Sequence, residues 1–253
     1  MRRGWLLLAL GLGAYLVFVV ATLPASLVAS RLADRGIESA ASSGTVWEGR
    51  LTGVRSGQNY LGDVQWTLHP ARLLAARAAA HIELTRPDGR AAAHVEVGLG
   101  GNVFVENATV DLPIDALAGV GAPAGWEGRL RAELESLRLA DGWVTDAVGR
   151  IEARDVVGPQ RRPVRMGGYS VVLPAGEVPA TAADGTLVGA LADLADGPLA
   201  VTGTIELAPD RTYRIEGLVA PRPSAPQGVV DSLRFLGRPD ASGRRPFSIA
   251  GSL

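Results

Sequence analysis

Cysteine and lysine are absent from this chain of 253 residues, and aromatic residues make up only 5% of it. Without cysteine there is no disulfide, no thiolate zinc site, no iron–sulfur cluster and no cysteine nucleophile. Without lysine, a phosphate-binding loop of the Gly-Lys-Ser/Thr type is impossible. The 25 basic residues, all arginine, nearly balance the 26 acidic ones, and the net charge is −1. Strong electrostatic attraction of nucleic acid is therefore not expected.

Patterns of catalytic and metal-binding residues are also missing. The histidines are His69, His81 and His94, of which the last two could be cross-strand neighbours. No acidic cluster at ligand spacing completes a metal shell around them. The sequence has no Gly-x-Ser-x-Gly nucleophile elbow, and residues 98–101 (Gly-Leu-Gly-Gly) lack the third glycine and the helix of a dinucleotide loop. We predict no catalytic, cofactor-binding or metal-binding residue, no cofactor, and a protein that is not an enzyme.

An uncharged segment, residues 4–30, follows Arg2 and Arg3 and is most apolar from 5 to 20. A helix of about 20 mostly apolar residues is long enough to cross a bilayer. We expect residues 1–30 to form a short cytoplasmic tip and a transmembrane anchor, because paired arginines favour the cytoplasmic side. The alternative is a cleaved signal peptide, since small residues end the segment.

The region from residue 31 to 253 is predicted to be rich in β-structure. Residues 31–42 could prolong the helix by two turns, but from Thr45 onward apolar and polar residues alternate with the period of strands. The 32 glycines and 16 prolines supply turns between short strands. Strands are predicted at 45–54, 60–69, 78–85, 91–99, 102–112, 126–139, 143–155, 166–173, 199–208, 212–220 and 247–253, and short helices at 71–76, 113–118 and 228–236.

The predicted fold class is mainly β: a transmembrane helix, then an antiparallel, twisted sheet or sandwich-like region with a few short helices. Parallel βαβ folds need long amphipathic helices, and the sequence has none beyond the anchor. A stretch of glycine, alanine and proline at 119–125 marks a possible sub-boundary. The pattern leaves both a packed sandwich and an open groove possible.

The pentapeptide Trp-Glu-Gly-Arg-Leu occurs twice, at residues 47–51 and 126–130. Each copy is predicted to open a strand. The second copy is ambiguous, because the leucines of 130–137 also fit one face of a helix. We favour a strand there, since the first copy opens a clear strand and Asp141-Gly142 favours a hairpin turn.

Four tryptophans are predicted to lie in strands and to fill the core, because aromatic side chains bury large areas. They are Trp47, Trp66, Trp126 and Trp143. The alternative is a surface that docks a partner, since tryptophan and arginine dominate interface hot spots. The later stretch with Arg238, Arg244 and Arg245 is predicted to be a turn with solvated charges, and the alternative is a contact with an acidic partner.

Four features in a fixed order resemble one known family. They are the apolar N-terminal segment; residues 44–51 (Gly-Thr-Val-Trp-Glu-Gly-Arg-Leu); residues 61–70 (Leu-Gly-Asp-Val-Gln-Trp-Thr-Leu-His-Pro) before a Leu-Leu pair; and the ending 233–253. Together they resemble the type II secretion system protein N family, inner-membrane proteins of Gram-negative bacteria. The resemblance spans nearly the whole chain, although each motif alone is weak.

The resemblance implies a non-enzymatic accessory component of the machine that exports folded proteins from the periplasm across the outer membrane. Its implied partners are other components of that system, in the inner-membrane platform or the secretin. Its implied location is the inner membrane, with a single span and most of the chain in the periplasm. The alternative function is an anchored envelope protein whose β-groove binds or transfers lipid, because a sheet with one apolar face can form such a groove.

Overall fold

The structure, a computed structural model, describes residues 11–12, 15, 18–73, 76–117, 125–159, 164–176 and 182–252. It divides into two compact units, Met1–Pro87 and Asp88–Leu253, which we call unit 1 and unit 2. The sub-boundary predicted at 119–125 falls almost entirely outside the described residues and stays a prediction.

Unit 1 is an antiparallel sheet covered by one helix. Its elements are α1 (Ser26–Ala33), β1 (Ile37–Glu38), β2 (Ala41–Gly44), β3 (Glu48–Ser56), β4 (Asn59–Leu68), α2 (Pro70–Leu73) and β5 (Arg77–Arg86). Strand β3 pairs with β1, β2 and β4, and β4 pairs with β5. The core consists of Leu51, Val54 and Trp66 from the sheet and Ala25 from the segment before α1. Helix α1 turns its apolar side, including Val28 and Leu32, onto this core.

The expectation that residues 31–42 prolong the helix is wrong. Helix α1 ends at Ala33, and the chain then forms β1 and β2. The break follows from Gly36, which has a φ of +79°. This left-handed conformation is open to glycine at no steric cost and cannot continue a right-handed helix.

The predicted membrane anchor, residues 1–30, falls in large part outside the described residues. In the part of the chain that the structure describes, no helix combines the length and the apolar character needed to cross a membrane. The anchor therefore stays a prediction from the sequence.

Unit 2 contains one antiparallel sheet in which each strand pairs with the next along the chain. Its strands are β6 (Gly89–Gly98), β7 (Val103–Pro113), β8 (Glu127–Ala140), β9 (Trp143–Val157), β10 (Arg165–Leu173), β11 (Leu187–Asp193), β12 (Leu199–Leu207), β13 (Thr212–Pro221) and β14 (Arg245–Ser252). Two 3₁₀ helices (Ile114–Leu117 and Leu233–Phe235) and helix α3 (Gln227–Ser232) complete it. The mainly β, antiparallel prediction is confirmed. Within unit 2, the described strands form one hydrogen-bonded sheet.

Most predicted strands match the structure, including β8, where the sequence also fitted a helix. Strands β1, β2 and β11 were not predicted. Strand β11 carries Gly189, Ala190 and Ala192, and these residue types are depleted in strands. Hydrogen bonds to β10 and β12 on either side form it in spite of that composition.

The register shifts by one residue at one place between β6 and β7 and at three places between β8 and β9. Two of these shifts decide which residues of β7 and β8 lie on the apolar face. One extra residue enters β7 near Asn107, where φ is +51°, and one enters β8 at Glu135. A shift of one residue exchanges the two faces of a strand. Without these bulges, Val105 and Leu137 would lie on the face opposite to Val110 and Ala132. The bulges therefore keep the apolar residues of both strands on one side.

Candidate apolar groove

One face of the unit 2 sheet is apolar across successive strands. Residues directly opposite each other in an antiparallel pair project from the same face. Val201 lies opposite Val219, and Ile205 lies opposite Ile215. The same face continues through the pairs Val105–Leu137, Val110–Ala132, Leu112–Leu130, Ile151–Val171, Leu187–Leu207 and Ile215–Ile249. This alternation is what the sequence pattern of 199–208 predicted, extended over the whole unit.

The other face is polar and carries ion pairs between strands and along them. Glu152 of β9 pairs with Arg154 at 2.8 Å and with Arg150 at 3.6 Å. Asp111 of β7 pairs with Arg131 at 3.6 Å and accepts a hydrogen bond from Arg129. The bond from Arg129 is the main reason that the pKa of Asp111 lies below its ordinary value. A charged surface of this kind suits solvent, and it leaves the apolar face as the side that needs a cover.

The cover over β10 to β14 is the C-terminal helical segment. Leu233 is buried against Leu199, Val201 and Val219, and Val229 and Leu236 pack at its edge. Proline ends the preceding loop at Pro226, and α3 then begins at Gln227. Since the segment is short, it covers only part of the apolar face.

An apolar groove of about 670 Å³ remains between this segment and the sheet. We call it the groove. Its lining comes from strands β9 to β14, the helical segment and the residues before β8: Ile114, Trp126, Ala153, Val156, Met166, Tyr169, Leu191, Leu199, Val201, Ile215, Val219, Leu233, Leu236, Phe247, Ser248 and Ile249. Small-molecule sites measure about 300–1,000 Å³ and are mostly apolar, with a few polar groups. The groove fits that description.

The groove is open at the side of β14. Ile249 keeps 54% of its surface exposed although it lies on the apolar face, and Phe247 is half-buried. In the described part of the chain, β14 pairs only with β13, so no described strand pairs with its outer edge. Apolar side chains in this position are accessible from solvent without unfolding of the unit.

Arg245 stands at one end of the groove. It lies opposite Val219, which lines the groove, and is two residues from Phe247. Its Nη1 donates hydrogen bonds to the main-chain carbonyls of Leu236, at 3.2 Å, and Gly237, at 2.6 Å. Among the described residues no aspartate or glutamate forms an ion pair with it. The guanidinium has five donors in all, so most of its hydrogen-bonding capacity is not used by these two carbonyls.

Arg222, the other half-buried arginine of this region, is paired instead. Its Nη2 lies 2.5 Å from Asp193 Oδ2, and its Nη1 donates to the carbonyls of Gly197 and Leu199. Asp193 also accepts hydrogen bonds from the main-chain nitrogens of Val201, at 2.7 Å, and Ala195, at 2.8 Å. Burial alone would raise the pKa of Asp193, but these bonds and Arg222 outweigh burial and lower it. This pair joins β11 and β12 to the end of β13 and has no free charge for a ligand.

A second arrangement, in unit 1, joins the N-terminal segment to the sheet. Val46 N donates to Leu23 O at 2.8 Å, and Ala25 N donates to Gly44 O at 3.1 Å. The indole Nε1 of Trp47 donates to Val20 O at 2.8 Å. We call these three bonds the Trp47 clamp. One of them comes from Trp47, the first residue of the repeated pentapeptide, and the other two come from Gly44 and Val46, just before it.

The sequence matches the family described as type II secretion system (T2SS), protein N, over residues 35–248. The chain belongs to this family. The type II secretion system protein N of Aeromonas hydrophila is 28% identical over 271 residues, covering 100% of both chains. The protein of the same name in Vibrio cholerae is 26% identical over 248 residues, covering 93% of both. No solved structure matches. The resemblance inferred from the ordered motifs is thus confirmed.

The prediction that His81 and His94 are cross-strand neighbours stays a prediction. His81 lies in unit 1, where its Nε2 is 3.0 Å from Glu83 Oε1, and His94 lies in unit 2, opposite Glu106. Within the described ranges, no group of three or more His, Cys, Asp or Glu residues could hold a metal ion. The absence of catalytic and cofactor-binding residues stays a prediction.

The four tryptophans differ in burial. Trp66 is 9% exposed and belongs to the core of unit 1, as expected. Trp47, Trp126 and Trp143 are only half-buried, and the first two directly precede β3 and β8 rather than lying within them. The expectation that all four fill the core is therefore wrong in part. Trp126 lines the groove of this family member, a role that the repeated motif did not indicate.

The predicted turn before the last strand is present, and its arginines have different surroundings. Arg244 pairs with Asp240 at 3.2 Å within the turn, and Arg238 is exposed. Of the three, Arg245 alone lies at the end of the groove, opposite Val219. The sequence grouped all three as solvated charges, and no signal in it could separate Arg245, because the partners of that side chain are main-chain carbonyls.

Proposed function

We propose that this chain is a non-enzymatic inner-membrane accessory component of the type II secretion system. It supports export of folded proteins from the periplasm across the outer membrane. The observation that carries the proposal is the family match over residues 35–248, together with relatives named type II secretion system protein N that align over nearly their full lengths.

The proposed location is the inner membrane, with a single span and units 1 and 2 in the periplasm. Residues 4–30 contain no charged side chain and follow an arginine pair, as an inward-facing N-terminus requires. The Trp47 clamp supports this, because it ties the chain at residues 20–25 to the unit 1 sheet by three hydrogen bonds. An anchor joined in this way leaves no flexible linker between the membrane and unit 1.

The location is tested by alkaline extraction of membranes and N-terminal sequencing of the mature protein. Retention in the membrane with a start at Met1 supports the anchor. Release into the soluble fraction, or a start between residues 24 and 31, contradicts it and identifies a cleaved signal peptide.

The proposed partners are other components of the secretion system, in the inner-membrane platform or the secretin. The test is site-specific photo-crosslinking in cells that make the machine, followed by mass spectrometry of the adducts. Phe235 is a suitable probe position, since it is 92% exposed and lies beside Arg234, and aromatic residues and arginine are enriched in protein interfaces. Leu233, two residues away and buried, is the matched control.

The proposal is supported if probes at Phe235 or at other exposed positions give adducts with secretion components and the probe at Leu233 does not. A deletion strain should in addition export less of a reporter substrate. If no exposed position gives an adduct with a secretion component and export is unchanged, the accessory role is refuted.

A further inference from the structure

We propose that the groove of unit 2 binds an acyl chain of an anionic phospholipid, with the headgroup phosphate paired to Arg245. This ligand site goes beyond the accessory role in secretion and does not depend on it. It follows from three observations: the apolar lining, the opening beside β14 and the arginine at the groove's end.

The lining favours a hydrocarbon chain over a peptide. Of the side chains that line the groove, only Trp126, Tyr169 and Ser248 carry a polar N–H or O–H group. The Tyr169 hydroxyl already donates to Met166 O at 3.1 Å, and Ser248 Oγ lies 3.2 Å from Glu216 Oε1. A peptide would bring main-chain N–H and C=O groups that find few partners here, and buried polar groups without partners are unfavourable. An acyl chain has no such groups.

The charge at the end of the groove favours an anionic headgroup. Arg245 is half-buried, makes hydrogen bonds only to the carbonyls of Leu236 and Gly237 and, among the described residues, has no carboxylate partner. Arg222 shows the contrast, because Asp193 neutralises it at 2.5 Å. Guanidinium binds phosphate through charge-assisted, often bidentate hydrogen bonds. The Nε and Nη2 donors of Arg245 are the ones available for this.

The position of Arg245 suits a ligand whose tail lies along the strands. Its neighbours on the same face are Val219, directly opposite, and Phe247, two residues further along β14. Both line the groove, so a phosphate at Arg245 directs its acyl chain between them. The exposed Ile249 and the free edge of β14 give the chain a lateral path from a membrane without opening of the fold.

The test uses the full-length protein in mild detergent and phosphatidylglycerol with one pyrene-labelled acyl chain. Binding is followed by energy transfer from tryptophan, because Trp126 lines the groove, and the stoichiometry by native mass spectrometry. We expect one lipid per chain. The same pyrene chain on zwitterionic phosphatidylcholine should bind about tenfold more weakly, because the choline cation beside its phosphate offsets the charge that Arg245 attracts. Phosphatidylglycerol should lose about as much affinity for Arg245→Gln, because that change removes the charge-assisted bond to the phosphate.

Two further variants separate the site from the fold. Ala153→Phe narrows the groove and should abolish binding. Ile249→Glu places a carboxylate at an exposed position of the rim, where folding is little affected, and should weaken binding of the anionic lipid. Arg238→Gln, an exposed arginine outside the groove, is the matched control and should bind like the unchanged protein. Thermal unfolding of each variant shows that it is folded.

Four results would overturn the inference. They are no bound lipid on folded protein, equal affinity for the two headgroups, binding unchanged by Arg245→Gln and Ile249→Glu, and several lipids per chain with no dependence on Ala153→Phe. The first and last refute the groove as a lipid site, and the other two refute the role of Arg245. Secretion and crosslinking are measured separately, so their failure leaves this test intact.

Discussion

The indole Nε1 of Trp47 donates a 2.8 Å hydrogen bond to the main-chain carbonyl of Val20, 27 positions earlier in the chain. The described residues 18–21 are helical, and Val20 is in their last turn, where its carbonyl also accepts a long, 3.4 Å hydrogen bond from the main-chain nitrogen of Leu23. The tryptophan side chain therefore acts as a C-terminal cap for this helical turn. It also connects that turn to the start of β3.

Replacement of Trp47 by phenylalanine keeps an aromatic ring but removes the donor. We expect a loss of about 1 kcal/mol in the free energy of unfolding of unit 1, the usual contribution of one hydrogen bond. Hydrogen exchange should accelerate at the main-chain amides of Ala25 and Val46, which belong to the same clamp. Trp126→Phe, in the second copy of the pentapeptide, is the control and should leave these amides unchanged. Unchanged exchange in Trp47→Phe would show that the indole bond does not hold the segment.

Gly49 of the first pentapeptide lies directly under the Trp66 ring. A Cβ at position 49 would come 2.3 Å from Trp66 Cζ2 and 2.7 Å from Thr45 O. We expect Gly49→Ala to destabilise the protein by about 1–3 kcal/mol, as overpacking of a core does. The measurement is urea unfolding of the full chain in mild detergent.

Two further variants show whether the ring is the cause. Gly49→Ala combined with Trp66→Leu should lose less stability than the sum of the single changes, because the smaller side chain leaves room for the methyl group. Gly228→Ala, in α3 with open space around it, should be neutral or slightly stabilising. If the effects of the two single changes add fully, the stability lost in Gly49→Ala comes from the contact with Thr45 O and not from the Trp66 ring.

The sequence predicted the sheet well where residues alternate and turns are marked, as in β12, β13 and the hairpin at Asp141-Gly142. It could not predict the bulges at Asn107 and Glu135, because an extra residue looks the same in the sequence as a break in the alternation. Strand β11 was missed because glycine and alanine carry no strand signal, and its formation depends on hydrogen bonds to β10 and β12.

The groove was less accessible to sequence reasoning than the strands. Its lining comes from positions as far apart as Ile114 and Ile249, and only the pairing of all the intervening strands brings them together. The alternation within one strand, such as Val201, Ile205 and Leu207, indicated an apolar face but not whether another layer covers it. That depended on how much of the face the short segment with Leu233 covers.

The ion pair between Asp193 and Arg222 predicts an acid-dependent loss of stability. The side chains are 10% and 25% exposed. Against the effect of burial, hydrogen bonds from Val201 and Ala195 and the charge of Arg222 keep the pKa of Asp193 below its ordinary value. A group with a lowered pKa in the folded state stabilises the protein above its unfolded pKa, about 3.9 for aspartate. This contribution is lost as the pH falls through the folded pKa, so it should be constant near neutrality and decline below about pH 4.

Asp193→Asn should remove that acid-dependent part of the stability. It should also lower the free energy of unfolding at pH 7 by about 2–3 kcal/mol, somewhat less than the loss of about 3–5 kcal/mol when a fully buried pair is broken. Urea unfolding at a series of pH values measures both effects. Glu216→Gln is the control, since Glu216 and Arg214 are exposed and 3.8 Å apart, and it should change stability by less than about 0.5 kcal/mol. If Asp193→Asn retained the full decline at low pH, other carboxylates would be responsible for it.

Asp240 organises the turn that leads into β14 and hence to Arg245. Its Oδ1 accepts hydrogen bonds from Ser242 Oγ at 2.7 Å and from the main-chain nitrogens of Ser242 and Arg244, both at 2.9 Å. The Ser242 hydroxyl bond and the amide of Arg244 lower the pKa of Asp240 to about 2. The carboxylate should therefore keep the turn formed at every pH above its folded pKa and release it only as the pH falls through about 2.

We expect Asp240→Ala to open this turn at neutral pH. Hydrogen exchange should accelerate at the amides of Ser242 and Arg244, while the amides of β12 and β13 keep their protection. Asp210→Ala is a matched control, because Asp210 makes the same kind of turn with Thr212 at another hairpin, and it should affect only that hairpin. If hydrogen exchange at Ser242 and Arg244 is unchanged in Asp240→Ala, the main chain rather than the carboxylate determines the conformation of the turn before β14.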